Sequence, residues 1–114
     1  EFEHFNQLAA RFGIEFVETI YRDPQGKSKL NLTSQSAVLG TGLTAYLVDV
    51  APLKLTGGKF ETLLSDGATP IMAQVHHGQG VVVALGDPWI YNEYINSKDN
   101  HKMAENLFRV LLKR

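Results

Sequence analysis

Two carboxylates, Asp87 and Glu93, stand in the most aromatic stretch of the chain, among Trp89, Tyr91, Asn92 and Tyr94. A pair of carboxylates can cleave a glycosidic bond when the two groups flank it. Indole and phenol rings can stack on sugar faces while Asp87, Asn92 and Glu93 hydrogen-bond hydroxyls. Asp87 also follows an apolar run and precedes Pro88. There its carboxylate can hold the fold by accepting backbone amides, and this role is favoured over catalysis. The candidate ligand-binding residues are therefore Asp87, Trp89, Tyr91, Asn92 and Glu93. No catalytic residue is assigned.

Other chemistries fail on residue type or spacing. The chain has no cysteine, which removes disulfides, thiolate metal sites and a cysteine nucleophile. His76 and His77 are adjacent and would point to opposite faces of a strand, and His4 and His101 fall on helices, so no metal site is expected. The serines Ser34, Ser36, Ser65 and Ser97 lack a nucleophile-elbow pattern. Gly26-Lys27-Ser28 lacks the leading glycine of a phosphate loop, because position 21 is Tyr21. Gly78-Gln79-Gly80 precedes a strand and has Val83 where a small residue is needed. Gly40-Thr41-Gly42 with Ala45 fits the loose dinucleotide pattern but runs into a β-rich segment, so it reads as a turn. No cofactor is expected.

The elements that must position these residues follow from periodicity. Phe2, Phe5, Leu8, Ala9 and Phe12 recur at helical spacing, with Gly13 placed to cap and Ile14 to pack back. A short strand is predicted over 16–20. Residues 22–36 read as a long polar loop, of which 23–35 is expected to be the least ordered part of the chain. Strands are predicted over 43–50, through Leu53 and Leu55, and over 60–64 and 71–75, with a turn at Asp66-Gly67. His77-Gly78-Gln79-Gly80 turns into the run 81–85, which is apolar at every position. Such a run predicts an interior strand flanked on both sides. Asp99 or Asn100 caps a last helix whose stripe is Met103, Leu107, Val110 and Leu111, widened by Ala104 and Phe108.

At 114 residues the chain is the size of one domain. Eleven Lys and Arg against twelve Asp and Glu give a net charge of −1, without the basic footprint of a nucleic-acid binder. No apolar run has the length of a membrane span. Neither nucleic acid nor membrane is expected as a partner. The opening Glu1-Phe2-Glu3-His4 has no initiator methionine, which suggests a piece cut from something longer.

From Gly78 through Gly86-Asp87-Pro88-Trp89 and Tyr91-Asn92-Glu93-Tyr94 to Asn106-Leu107, and again over His4-Phe5-Asn6-Gln7-Leu8-Ala9, the chain resembles the C-terminal extension of bacterial unsaturated rhamnogalacturonyl hydrolases. Its glycine-strand-Gly-Asp pattern resembles class I amidotransferase-like, flavodoxin-like domains. The resemblance implies an α/β three-layer sandwich with a mixed, largely parallel sheet, here expected to lack its first strand and helix. It implies a non-catalytic accessory domain in a pectin-degrading glycoside hydrolase, with the catalytic domain of the same chain as partner and a periplasmic or secreted location. The alternative is a small carbohydrate-binding module that takes pectic oligosaccharide on the 87–94 loop.

Overall fold

The computed structural model describes residues 2–57, 59–87 and 90–113. Helix α1 (Phe2–Ala9) leads through a 3-10 turn (Ala10–Phe12) into β1 (Ile14–Phe16). Six further strands follow: β2 (Lys29–Thr33), β3 (Thr44–Val48), β4 (Leu53–Leu55), β5 (Phe60–Asp66), β6 (Thr69–His77) and β7 (Gly80–Leu85). Helix α2 (Asn100–Leu112) closes the chain.

Every strand ladder is antiparallel. β1 pairs with β4, β2 with β3, and β5-β6-β7 form a meander. This corrects the expected parallel-sheet α/β sandwich: the chain forms a small β-rich domain with two helices. The reason lies in the connections. Parallel neighbours need a crossover of a dozen or more residues, usually a helix, and no described helix lies between β1 and β7. β5–β6 and β6–β7 turn within two residues, Gly67-Ala68 and Gly78-Gln79. In each pair only the glycine has positive φ, 57° and 60°, the pattern of a type II′ hairpin turn.

The meander has a core on each face. On one side Leu30, Leu32, Leu39, Ala45, Leu47, Leu63, Leu64, Met72, Met103 and Leu107 pack together. On the other, Ala9, Ile14, Leu53, Ala73, Val75 and Ala84 form a smaller cluster. β7 serves both, with Val83 and Leu85 against the first and Val82 against the second beside Ala84. That explains why 81–85 is apolar throughout. The expectation of strands on both sides is nevertheless wrong, because in the sheet order β7 is an edge strand. Both of its faces are covered, but only one side is paired. In β5 a register shift between Thr62 and Leu64 turns both Leu63 and Leu64 into the core, as a bulge does.

The reading of 22–36 as one long loop is also corrected. Asp23 Oδ1 accepts the amides of Gln25 at 2.9 Å and Lys27 at 2.8 Å. The chain then enters β2, with Leu30 and Leu32 buried between exposed Lys29, Asn31 and Thr33.

Two asparagines dock the helices. Asn100 is fully buried. Its Oδ1 accepts Tyr46 N–H at 2.9 Å, and its Nδ2 donates to the carbonyls of Tyr46 at 2.9 Å and Tyr94 at 2.8 Å. Beside it, Thr44 N–H donates to Asp99 Oδ2 at 2.8 Å, and Asp99 N–H to Thr44 O at 2.9 Å. The start of α2 thus covers the edge of β3 as a neighbouring strand would. Asp99 occupies the N-cap position, where its carbonyl accepts Met103 N–H at 2.9 Å, but its side chain bonds β3 rather than its own helix. Asn6 of α1 does the same for β1, accepting Phe16 N–H at 2.7 Å and donating to Phe16 O at 3.0 Å. Gly13 caps the first helical segment at φ 74°, as expected, and a side chain there would strike the Thr56 carbonyl. Among the described residues no helix is long and apolar enough to cross a membrane.

Candidate functional site

Asp87 is 4% exposed and lies just beyond β7, buried as the structural reading requires. It borders an apolar groove of about 250 Å³ lined also by Phe2 and Phe5 of α1, Phe16 of β1, Ala51, Leu85 and Gly86. The groove forms because α1 is short and is held at Asn6 and Ala9, which leaves Phe5 65% and Leu8 61% exposed.

The groove meets β7 at its end, through Leu85, with Gly86 just beyond. The His77–Gly80 pair flanks a two-residue turn, so pairs alternate from there: Val75–Val82 and Ala73–Ala84 exchange hydrogen bonds. The N–H and C=O groups of Val81, Val83 and Leu85 therefore point away from β6. Among the described residues they meet no strand on that side, and the nearest pairing is the Ala51–Gly86 bridge at the end of β7, where Ala51 N–H donates to Gly86 O at 3.0 Å. Exposed rings, an apolar wall and an open backbone edge thus share one surface.

The other sequence candidates are dispersed. Tyr91 packs on the large core and against Phe108, with ring centroids 6.1 Å apart. Burial pushes its phenol pKa up to about 12. Tyr94 lies edge-on to Tyr46, with centroids 5.4 Å apart, and its pKa is raised by desolvation, with Glu93 contributing. Asn92 and Glu93 are exposed, and Trp89 lies outside the described residues. Of the predicted set, Asp87 alone borders the groove among the described residues. Phe2, Phe5, Phe16 and Leu85 had not been singled out for binding. For Phe2 and Phe5 the signal was a helix of eight residues carrying more large apolar side chains than it can bury. Among the described residues, no three histidines, aspartates or glutamates converge as a metal set would.

No family model matches this sequence, and no curated protein does. Among solved structures the fold is similar to one described as "mmIFT52 N-terminal domain", with a TM-score of 0.70 and 19% identity. The match covers 96% of this chain and 57% of that one. At that identity the likeness concerns the fold. It overturns the resemblance to a rhamnogalacturonyl hydrolase extension and the amidotransferase-like assignment. The expected partner, a glycoside hydrolase catalytic domain, falls with them.

Proposed function

We propose that this domain is a non-catalytic protein-interaction module, and that its ligand is an extended apolar segment of a partner polypeptide seated in the groove along β7. One observation carries the reading: Phe5, left exposed on α1, shares a groove with Leu85 at the end of an unpaired strand edge. Strand addition supplies main-chain hydrogen bonds, and flanking apolar pockets select side chains. An exposed, flat apolar edge is otherwise a liability that folded proteins cover. The structural neighbour supports the reading in one further respect. It holds this unit within a longer polypeptide, of which the match covers 57%.

A photoreactive phenylalanine analogue at position 5, in the protein expressed in its own host, tests this directly. The expected product is a discrete cross-link to one polypeptide, identified by mass spectrometry and lost when Leu85→Lys is added. Cross-links that are diffuse, or that survive Leu85→Lys, sink the proposal. So does a saturable change in Trp89 fluorescence on titration with oligosaccharide, which would mark a carbohydrate module instead.

A further inference from the structure

A second groove, of about 270 Å³, lies at the other end of the β6–β7 hairpin. Its lining includes Arg11, Lys59, His76 and His77 and no acidic residue. The chain has eleven Lys and Arg and four His, with a net charge of −1, so four of its fifteen basic or imidazole side chains border this one depression. We propose that the groove is an oxyanion site that takes a phosphomonoester, with Arg11, Lys59 and His77 as its ligands.

The frame around the groove is fixed. Thr56 N–H donates to Gly13 O at 2.8 Å, which ties the turn bearing Arg11 to the end of β4. His76 N–H donates to Lys59 O at 3.0 Å, which ties Lys59 to β6. The ring of His77 stands edge-on to Phe12, with centroids 5.0 Å apart and planes at 82°. Three separate segments thus bring their basic residues to one place without using those charges to do so. Among the described residues the only ion pair is His101–Glu105, on α2, so neither Arg11 nor Lys59 is matched by a carboxylate. Glu61, which follows the rim residue Phe60, is engaged elsewhere: it accepts Gln74 Nε2 at 3.0 Å and Ser36 Oγ at 3.5 Å.

A phosphomonoester matches this chemistry better than a single carboxylate. It carries between one and two negative charges near neutrality and three acceptor oxygens. A guanidinium can bind two of these at once while an ammonium acts as a point charge. The rim suits what lies behind the phosphate: Phe60, 43% exposed, and Phe12 give an apolar border for a carbon stem. That stem could belong to a phosphorylated side chain or to a small phosphorylated metabolite.

The test is titration of the domain with inorganic phosphate, phosphoserine and a phosphoserine peptide at constant ionic strength, with sulfate and the unphosphorylated peptide as controls. Binding is followed by amide and imidazole NMR shifts. Expected are saturable shifts at His77 and Gly57 with the phosphate ligands, weakened about tenfold or more in Arg11→Gln/Lys59→Gln, the loss that follows from removing charge-assisted hydrogen bonds. Both replaced residues are exposed, and unchanged spectra elsewhere report that the fold is kept. A peptide that binds more tightly than phosphoserine identifies a phosphorylated partner as the source, and equal affinity identifies a free metabolite. Shifts that fail to saturate, sulfate binding as tight as phosphate, or undiminished affinity in the double variant would overturn the assignment.

Discussion

The two helices carry similar apolar patterns and meet different fates. α2 buries Met103, Ala104 and Leu107 to 5% exposure or less, and its first turn is bonded to β3 through Asp99 and Asn100. α1 buries Ala9 but leaves Phe5 and Leu8 more than 60% exposed. Periodicity states that a helix has an apolar face; it does not state what covers that face. In α2 the cover is the large core. In α1 part of the stripe borders the groove at the end of β7 and stays exposed, and the proposed function rests on that difference.

The largest effect expected from this comparison is on the α2 side. Leu107→Ala or Met103→Ala removes a fully packed side chain from the main core. Each should cost about 2–5 kcal/mol, through lost transfer energy and the cavity left behind, read as a lower midpoint in urea unfolding. Leu8→Ala, the same type of truncation on α1, should change the midpoint far less. Equal losses at Leu107 and Leu8 would mean that the α1 face is covered after all.

The asparagine clips allow a finer comparison. Asn100→Ala strands the N–H of Tyr46 and the carbonyls of Tyr46 and Tyr94 in a buried setting. About 2–3 kcal/mol is expected. Asn6→Ala removes two bonds from a half-buried site where water can replace them, so about 1 kcal/mol is expected there. Hydrogen exchange should show the same order, with Tyr46 N–H losing more protection than Phe16 N–H. The reverse order would place the stronger anchor on α1.

Much of the strand content was legible, because the information was local. Gly13 as a cap, the Asp66-Gly67 turn, the turn at Gly78-Gln79 and the stripe of α2 all follow from residues close together in sequence. Sheet direction was misread, because the resemblance to parallel-sheet domains outweighed the lack of a helical stretch between successive strands. β2 was hidden because Leu30 and Leu32 alternate within only five residues among turn formers. The clips could not be read at all. Asn6 and Asn100 meet strands 10 and 54 residues away, and an isolated asparagine carries no sign of its partner. Of the candidate binding residues, Asp87 borders the groove among the described residues. Aromatic residues in the 87–94 loop drew attention as sugar platforms, whereas Tyr91 and Tyr94 pack on the protein itself.

Tyr91 tests how dry the α2 side is. Its folded pKa, about 12, lies above the ordinary value of 10 because burial disfavours the phenolate. The unfolded chain therefore releases this proton first. The stability contributed by the neutral phenol is complete below pH 10 and declines as pH rises toward 12. Absorbance titration near 295 nm should show a late-ionising component near pH 12 that Tyr91→Phe removes, and Tyr91→Phe should also flatten the stability loss over that range. Ionisation of Tyr91 at the ordinary value would mean that water reaches the seam between the 90–94 loop and Phe108.

The smallest expected effect on stability is the most informative about function. Phe5→Ser and Leu8→Ser remove apolar surface that the isolated domain leaves in water. Little is therefore lost on folding, and each substitution should stay within about 0.5 kcal/mol of the parent, as exposed positions commonly do. With the photoreactive residue moved to Val81 on the β7 edge, the same pair should abolish cross-linking, because strand addition without its flanking apolar contacts leaves mostly exchangeable hydrogen bonds. Stability and association then respond in opposite proportion on the two helices: Leu107→Ala weakens the fold, and Phe5→Ser/Leu8→Ser spares the fold and removes the partner. If the double variant instead lowers the unfolding midpoint as much as Leu107→Ala does, the α1 face belongs to the domain's own core. The groove would then be a packing defect rather than a docking surface.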